Sequence, residues 1–224
     1  MLISESRKFI FVHIQKTGGT SLKHVIRTHV EDAHPLLGTH DFARGGRRAL
    51  GAAWDEYFSF AFVRNPWDRL VSWWSMIAQA GSKTDGKNDR NQFWHYVREN
   101  GRTFEEFITN CTEAIPDRDG SKCAAVNQYD YLVDESGRCI VGFVGRFETL
   151  SDDVATVLKR LGLPATELPH RTRSRHRPYA EYYTPALRDM VGERFARDIE
   201  RFGYRFGETA DRHAAPDVAS APRR

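Results

Sequence analysis

Three polar clusters in this chain have the types and spacing for chemistry on a charged group. The first is His13-Ile14-Gln15-Lys16-Thr17-Gly18-Gly19-Thr20-Ser21. A lysine, two glycines and three hydroxyl residues stand where an apolar run ends and a helical pattern, Leu22 to Val30, begins. Backbone N–H groups at such a junction, together with the helix dipole, favour an anion. Lys16 adds a full positive charge, and Thr17, Thr20 and Ser21 add hydroxyls. The second cluster, Arg64-Asn65-Pro66-Trp67-Asp68-Arg69-Leu70-Val71-Ser72, offers an arginine fork and, about two helical turns later, a hydroxyl. The third is the set of nine histidines, the side chains best suited to proton transfer near neutral pH. Among them His40, in Gly38-Thr39-His40-Asp41-Phe42, lies between the two charged clusters, with Asp41 beside it.

These residues must be positioned by strands. Phe9–Val12 and Tyr57–Val63 are short apolar runs of the buried parallel type. Each ends in one of the charged clusters and leads into a helix, which places both clusters where open α/β sheets bind ligands. Between the two strands the sequence predicts one helix, a loop around residues 35–46, and little else. The expectation is therefore an α/β fold with a central parallel sheet. Further along, helices are expected near 91–99 and 104–111, and another opens at Ser151-Asp152-Asp153 and closes at Gly162. A hairpin is expected around Asp134-Glu135-Ser136-Gly137. A last helix starts at Thr184-Pro185 and runs to about Arg201. Residues 80–91 and 112–127 read as loops for the acceptor. Residues 1–207 read as one domain and 208–224 as a disordered tail.

Composition excludes several classes. The net charge of +3 suits an anionic ligand, and no nucleic-acid signature accompanies it. Cys111, Cys123 and Cys139 are odd in number and lack metal spacing, so reduced thiols of a cytoplasmic protein are expected. No apolar stretch has the length of a membrane span. The nucleoside-triphosphate loop carries its lysine after the glycines. Here Lys16 precedes them, which disfavours a P-loop nucleotide kinase and leaves it as the alternative enzyme, beside a nucleotide- or carbohydrate-binding protein without turnover.

The two charged clusters resemble, as a pair, the 5′-phosphosulfate loop and the 3′-phosphate motif of the sulfotransferases. The resemblance is to the family-2, carbohydrate type, including the heparan sulfate 2-O- and 6-O-sulfotransferases. Val144-Gly145-Arg146-Phe147-Glu148-Thr149-Leu150 and the segment Tyr182-Tyr183 to Phe202-Gly203-Tyr204 carry it further, over about residues 8–206. It implies a P-loop-like three-layer α/β/α fold and 3′-phosphoadenosine 5′-phosphosulfate (PAPS) as donor, with no metal. It implies that Gln15, Lys16, Thr17, Gly18, Gly19, Thr20 and Ser21 hold the phosphosulfate, with Lys16 neutralising the oxygen from which sulfur departs. Arg64 and Ser72 take the 3′-phosphate. His40 is the expected base, because related enzymes carry theirs in a comparable segment; His13 is expected to brace the loop, and His34 is a weaker candidate. The acceptor is expected to be a hydroxyl of a glycan or glycolipid. A basic loop, His170 to Arg177, is either a solvated connector or, as a loop at about this place in the family implies, folds over the nucleotide.

Overall fold

The computed structural model describes residues 1–80, 92–113, 124–168 and 176–208. Most of the 80–91 and 112–127 loops, the basic residues 170–175, Cys123 and the tail from 209 lie outside these. In chain order the elements are β1 (Leu2–Ser4), β2 (Phe9–Val12), α1 (Gly19–His29), β3 (His34–Pro35), α2 (Ala43–Leu50), β4 (Phe58–Val63), α3 (Pro66–Gln79), α4 (Gln92–Asn100), α5 (Phe104–Cys111), β5 (Phe143–Arg146), α6 (Leu150–Arg160), α7 (Pro185–Arg194) and α8 (Ala196–Phe202). Short 3-10 turns cover Gly51–Glu56, Gln128–Tyr131 and Tyr179–Tyr182. The chain divides into two compact units. One holds residues 1–64 and 128–168; the other holds the remaining described residues, 65–80, 92–113, 124–127 and 176–208.

The first unit is a mixed α/β structure around a five-stranded sheet of order β3-β1-β2-β4-β5. β2, β4 and β5 are parallel, with Phe11 opposite Phe60 and Val63 opposite Arg146. β1 and β3 extend the sheet antiparallel at one edge, beyond the central parallel part that was expected. Such an edge strand on a parallel sheet is common. β1 is three residues long and carries too little periodicity to be read in advance. Phe9, Phe11, Phe60 and Phe62 line one face and pack with Leu22, Val25 and Ile26 of α1 and Val154, Val157 and Leu158 of α6. Phe11 and Phe60 stack at 5.1 Å. Each such buried side chain contributes about 1.5–3 kcal/mol. Ile10, Val12 and Ala61, on the alternate face, are buried as completely, which explains the continuous apolar runs.

Three expectations change. The stretch read as loop between the first two strands contains α2 and a 3-10 turn; Gly45 and Gly46 weaken the helical pattern there. The expected hairpin reduces to a single bridge, Val133 with Cys139, and residues 143–146 instead join β4 as a parallel strand. The last helix breaks at Phe195, whose φ of −111° and ψ of 24° separate α7 from α8.

The second unit is helical. Asn65 caps α3 by accepting a hydrogen bond from the Trp67 N–H, and Pro66 occupies the first helical turn. A capping box of Thr103 and Glu106 starts α5. The indoles of Trp67 and Trp74 donate to the carbonyls of Arg188 and Gly101, so these tryptophans are structural.

Candidate active site

The first unit assembles the loop from His13 to Gly18, Arg64 at the end of β4, and the segment around His40. Gly18 is the N-cap of α1 and sits at φ 82°, where glycine avoids the steric cost of a side chain. Gly18 has no side chain to cap the helix, and the first turn holds no acidic residue. The helix dipole and the first-turn N–H groups therefore suit an added anion. Gly19 is needed for space. A Cβ there would lie 2.2 Å from Cδ2 and 2.4 Å from Nε2 of His13.

Lys16 adopts φ 70°, a left-handed conformation that costs a non-glycine residue about 1–2 kcal/mol. Its carbonyl accepts a hydrogen bond from Arg64 Nη1 at 3.3 Å. Burial, and then the Arg64 charge, lower the Lys16 ammonium from 10.5 to about 7. Thr17 is buried, and its hydroxyl donates to the Ile14 carbonyl at 2.9 Å. Its side chain thus closes the loop instead of supplying a hydroxyl hydrogen to an anion, as the sequence had suggested. Thr20 is exposed and Ser21 buried.

Arg64 is 6% exposed. Its backbone is clamped by one side chain: its N–H donates to Gln128 Oε1 at 2.8 Å, and Gln128 Nε2 donates to its carbonyl at 2.7 Å. Its guanidinium lies 3.9 Å from the centre of the Phe147 ring, a cation–π contact that orients the fork. Gln15 is tied from the same 3-10 turn as Gln128, since the Tyr131 hydroxyl donates to Gln15 Oε1 at 2.9 Å. Tyr131 also stacks on Phe42 at 4.6 Å, two residues beyond His40. Sequence reasoning missed Gln128, Tyr131 and Phe147 as supports. The one available signal was a buried-type glutamine inside the apolar pattern Gln128 to Val133.

His40 Nδ1 lies 3.0 Å from the His13 carbonyl. The two imidazoles sit 4.6 Å apart. His13 is 5% exposed and stacks on Phe11 at 5.4 Å. Burial first, and then His40, hold its pKa well below the ordinary histidine value, so it stays neutral. Its Nδ1 is buried without a hydrogen-bond partner, a cost of about 1–3 kcal/mol. The Asp41 carboxylate accepts from the Gly38 N–H at 2.6 Å and so shapes the turn before His40. His34 lies on exposed β3, with Nδ1 at 2.9 Å from the Asp32 carbonyl. It belongs to the far edge of the sheet.

In the second unit, Ser72 is buried on α3. His176, the one described histidine of the basic segment, places Nδ1 2.8 Å from the Arg177 carbonyl.

Among the described residues no helix is long and apolar enough to cross a membrane. No solved structure matches the chain. An uncharacterized protein of Archaeoglobus fulgidus is 28% identical over 110 residues, which span 49% of this chain and 72% of that protein. The model of the sulfotransferase family matches residues 1–205, a span that takes in the glycine loop, Arg64 and His40 alike. The chain therefore belongs to the sulfotransferase family and is a transferase of sulfuryl groups.

Proposed function

We propose that this protein moves the sulfuryl group of PAPS to a hydroxyl of a saccharide or glycoconjugate. The observation that carries the reading is the convergence of Lys16 and Arg64 at the N-terminus of α1. An arginine, a lysine that an anion would keep protonated, and a helix dipole there suit a ligand with several negative charges. The backbone of Thr17, Gly18, Gly19, Thr20 and Ser21 is assigned to the phosphosulfate, with Gln15 bracing the loop. Arg64 is assigned to the 3′-phosphate. For Ser72 the same role rests on sequence spacing alone. The saccharide acceptor rests on the resemblance of the two motifs to the carbohydrate type.

In this reading His40 Nε2 accepts the proton of the acceptor hydroxyl as its oxygen attacks sulfur. The bond from sulfur to the 5′-phosphate oxygen breaks, and the electron pair leaves with the 3′,5′-bisphosphate. Lys16 meets the charge that develops on that oxygen. Loop geometry and fixed charge supply the catalysis, as in phosphoryl transfer.

Calorimetry with 3′-phosphoadenosine 5′-phosphate, adenosine 5′-phosphate and ATP tests the donor. The bisphosphate should bind tightest, and Arg64→Ala should remove most of its advantage over the monophosphate. Tighter binding of ATP would favour the kinase reading instead. A screen of glycan, lipid and small hydroxyl acceptors with labelled donor tests the acceptor. Donor binding without transfer to any of them would favour a binding protein.

A further inference from the structure

His13 lies at the meeting point of the glycine loop, the sheet and the His40 segment, and no role in the transfer has yet been given to it. A carbonyl oxygen can only accept a hydrogen bond. The 3.0 Å contact between His40 Nδ1 and the His13 carbonyl therefore requires the proton on Nδ1. In the neutral ring the lone pair is then on Nε2. The His13 ring is held on three sides: by Phe11 at 5.4 Å, by the His40 ring at 4.6 Å, and by the Gly19 backbone, which has no room for a Cβ. One residue thus fixes which nitrogen of His40 is basic, where that ring sits, and how closely α1 approaches it.

We propose that His13 is a positioning residue. Its carbonyl selects the His40 tautomer with the Nε2 lone pair, and its ring sets the distance between His40 and the anion-binding end of α1. The catalytic consequence rests on the reading of His40 as base; the tautomer and the ring placement do not. The His13 imidazole is buried and takes no part in proton transfer. Its shape is what matters, wedged where a flexible side chain would let the His40 ring turn.

The test uses the full chain with nitrogen-15-labelled histidine, assigned by the His40→Ala variant. Wild type should show His40 protonated on Nδ1, with a pyridine-type Nε2. His13→Ala keeps the carbonyl and loses the ring. It should keep the Nδ1-protonated tautomer but misplace the ring, lowering kcat by about 10–100-fold, with the KM for donor changed less than twofold. His13→Phe keeps a planar ring stacked on Phe11 and should restore most of kcat. A wild-type His40 carrying its proton on Nε2 would overturn the proposal. So would His13→Ala with unchanged kcat. If His13→Ala does not fold, the wild-type spectrum and His13→Phe still decide. If His40→Ala keeps full turnover, the base reading fails while the nitrogen spectra still decide what His13 does.

Discussion

Lys16 should make anion binding depend on pH in a way an ordinary lysine would not. In the protein alone its ammonium is lowered from 10.5 to about 7 by burial and by Arg64. That drop corresponds to on the order of 5 kcal/mol. The unfolded chain binds the proton more tightly, so the penalty to stability is full below pH 7 and fades as pH rises toward 10. A phosphate placed beside Lys16 favours its charged form and reverses the shift. Binding of 3′-phosphoadenosine 5′-phosphate should then draw in a proton, about 0.5 per site at pH 7 and about 0.9 at pH 8. Affinity should weaken by about tenfold for each pH unit above 7. The ligand's own phosphates, with second pKa values near 6, have finished titrating by then. Calorimetry in buffers of different ionisation enthalpy measures the uptake directly. Lys16→Arg keeps the charge but cannot lose it, so its affinity should be nearly flat from pH 7 to 9. A flat wild-type profile, or an equal slope in Lys16→Arg, would refute the reasoning.

Three other perturbations reach different parts of the structure. Gly19→Ala forces a Cβ to 2.2 Å from the His13 ring; overpacking should cost about 1–3 kcal/mol and weaken bisphosphate binding, and equal stability by denaturant titration would contradict the packing. Gln128→Leu strips both partners from the buried Arg64 backbone, at about 1–3 kcal/mol for each group. The preference for 3′,5′-bisphosphate over 5′-monophosphate should narrow, and an unchanged ratio would show that the clamp does not steer Arg64. Thr103→Ala removes the capping box of α5; it should cost about 1 kcal/mol and leave the KM for donor unchanged, and no loss of stability would mean that Glu106 caps alone.

The strands and helices that carry the site were readable because each is defined by local pattern. Phe9–Val12 and residues 59–63 are buried on both faces, so their apolar runs needed no tertiary context. Pro66 and Thr103 mark helix starts through chemistry confined to one turn. The missed elements fail that condition. β1 and β3 are three and two residues long and are strands only through pairing, β1 with β2 and β3 with β1. α2 contains two glycines and forms against local propensity. The hairpin was expected because Asp134 to Gly137 do make a turn: Asp134 Oδ1 accepts from the N–H groups of Ser136 and Arg138. A turn signal fixes a reversal of the chain but does not fix how far pairing extends from it.

The same division runs through the site. Lys16, Gly18, Gly19 and Arg64 announce themselves because a loop that holds an anion draws its donors from consecutive backbone and from the ends of strands. The residues that hold those donors in place are distant in sequence. Gln128 is 64 positions from Arg64, and Tyr131 is 116 from Gln15. Neither sits in a pattern that ties it to its partner, because a side chain that satisfies a buried backbone N–H and C=O is chosen by the gap it fills. Gln128 does for Arg64 what a neighbouring strand would do, and it does so at the point where β4 has ended and no strand residue remains to pair. The cation on Arg64 is therefore legible from sequence, while its fixed direction over Phe147 is a property of the folded unit alone. In the proposed reading that direction decides which phosphate the guanidinium reaches, so substitutions at Gln128 should change ligand preference even though Gln128 supplies no charge.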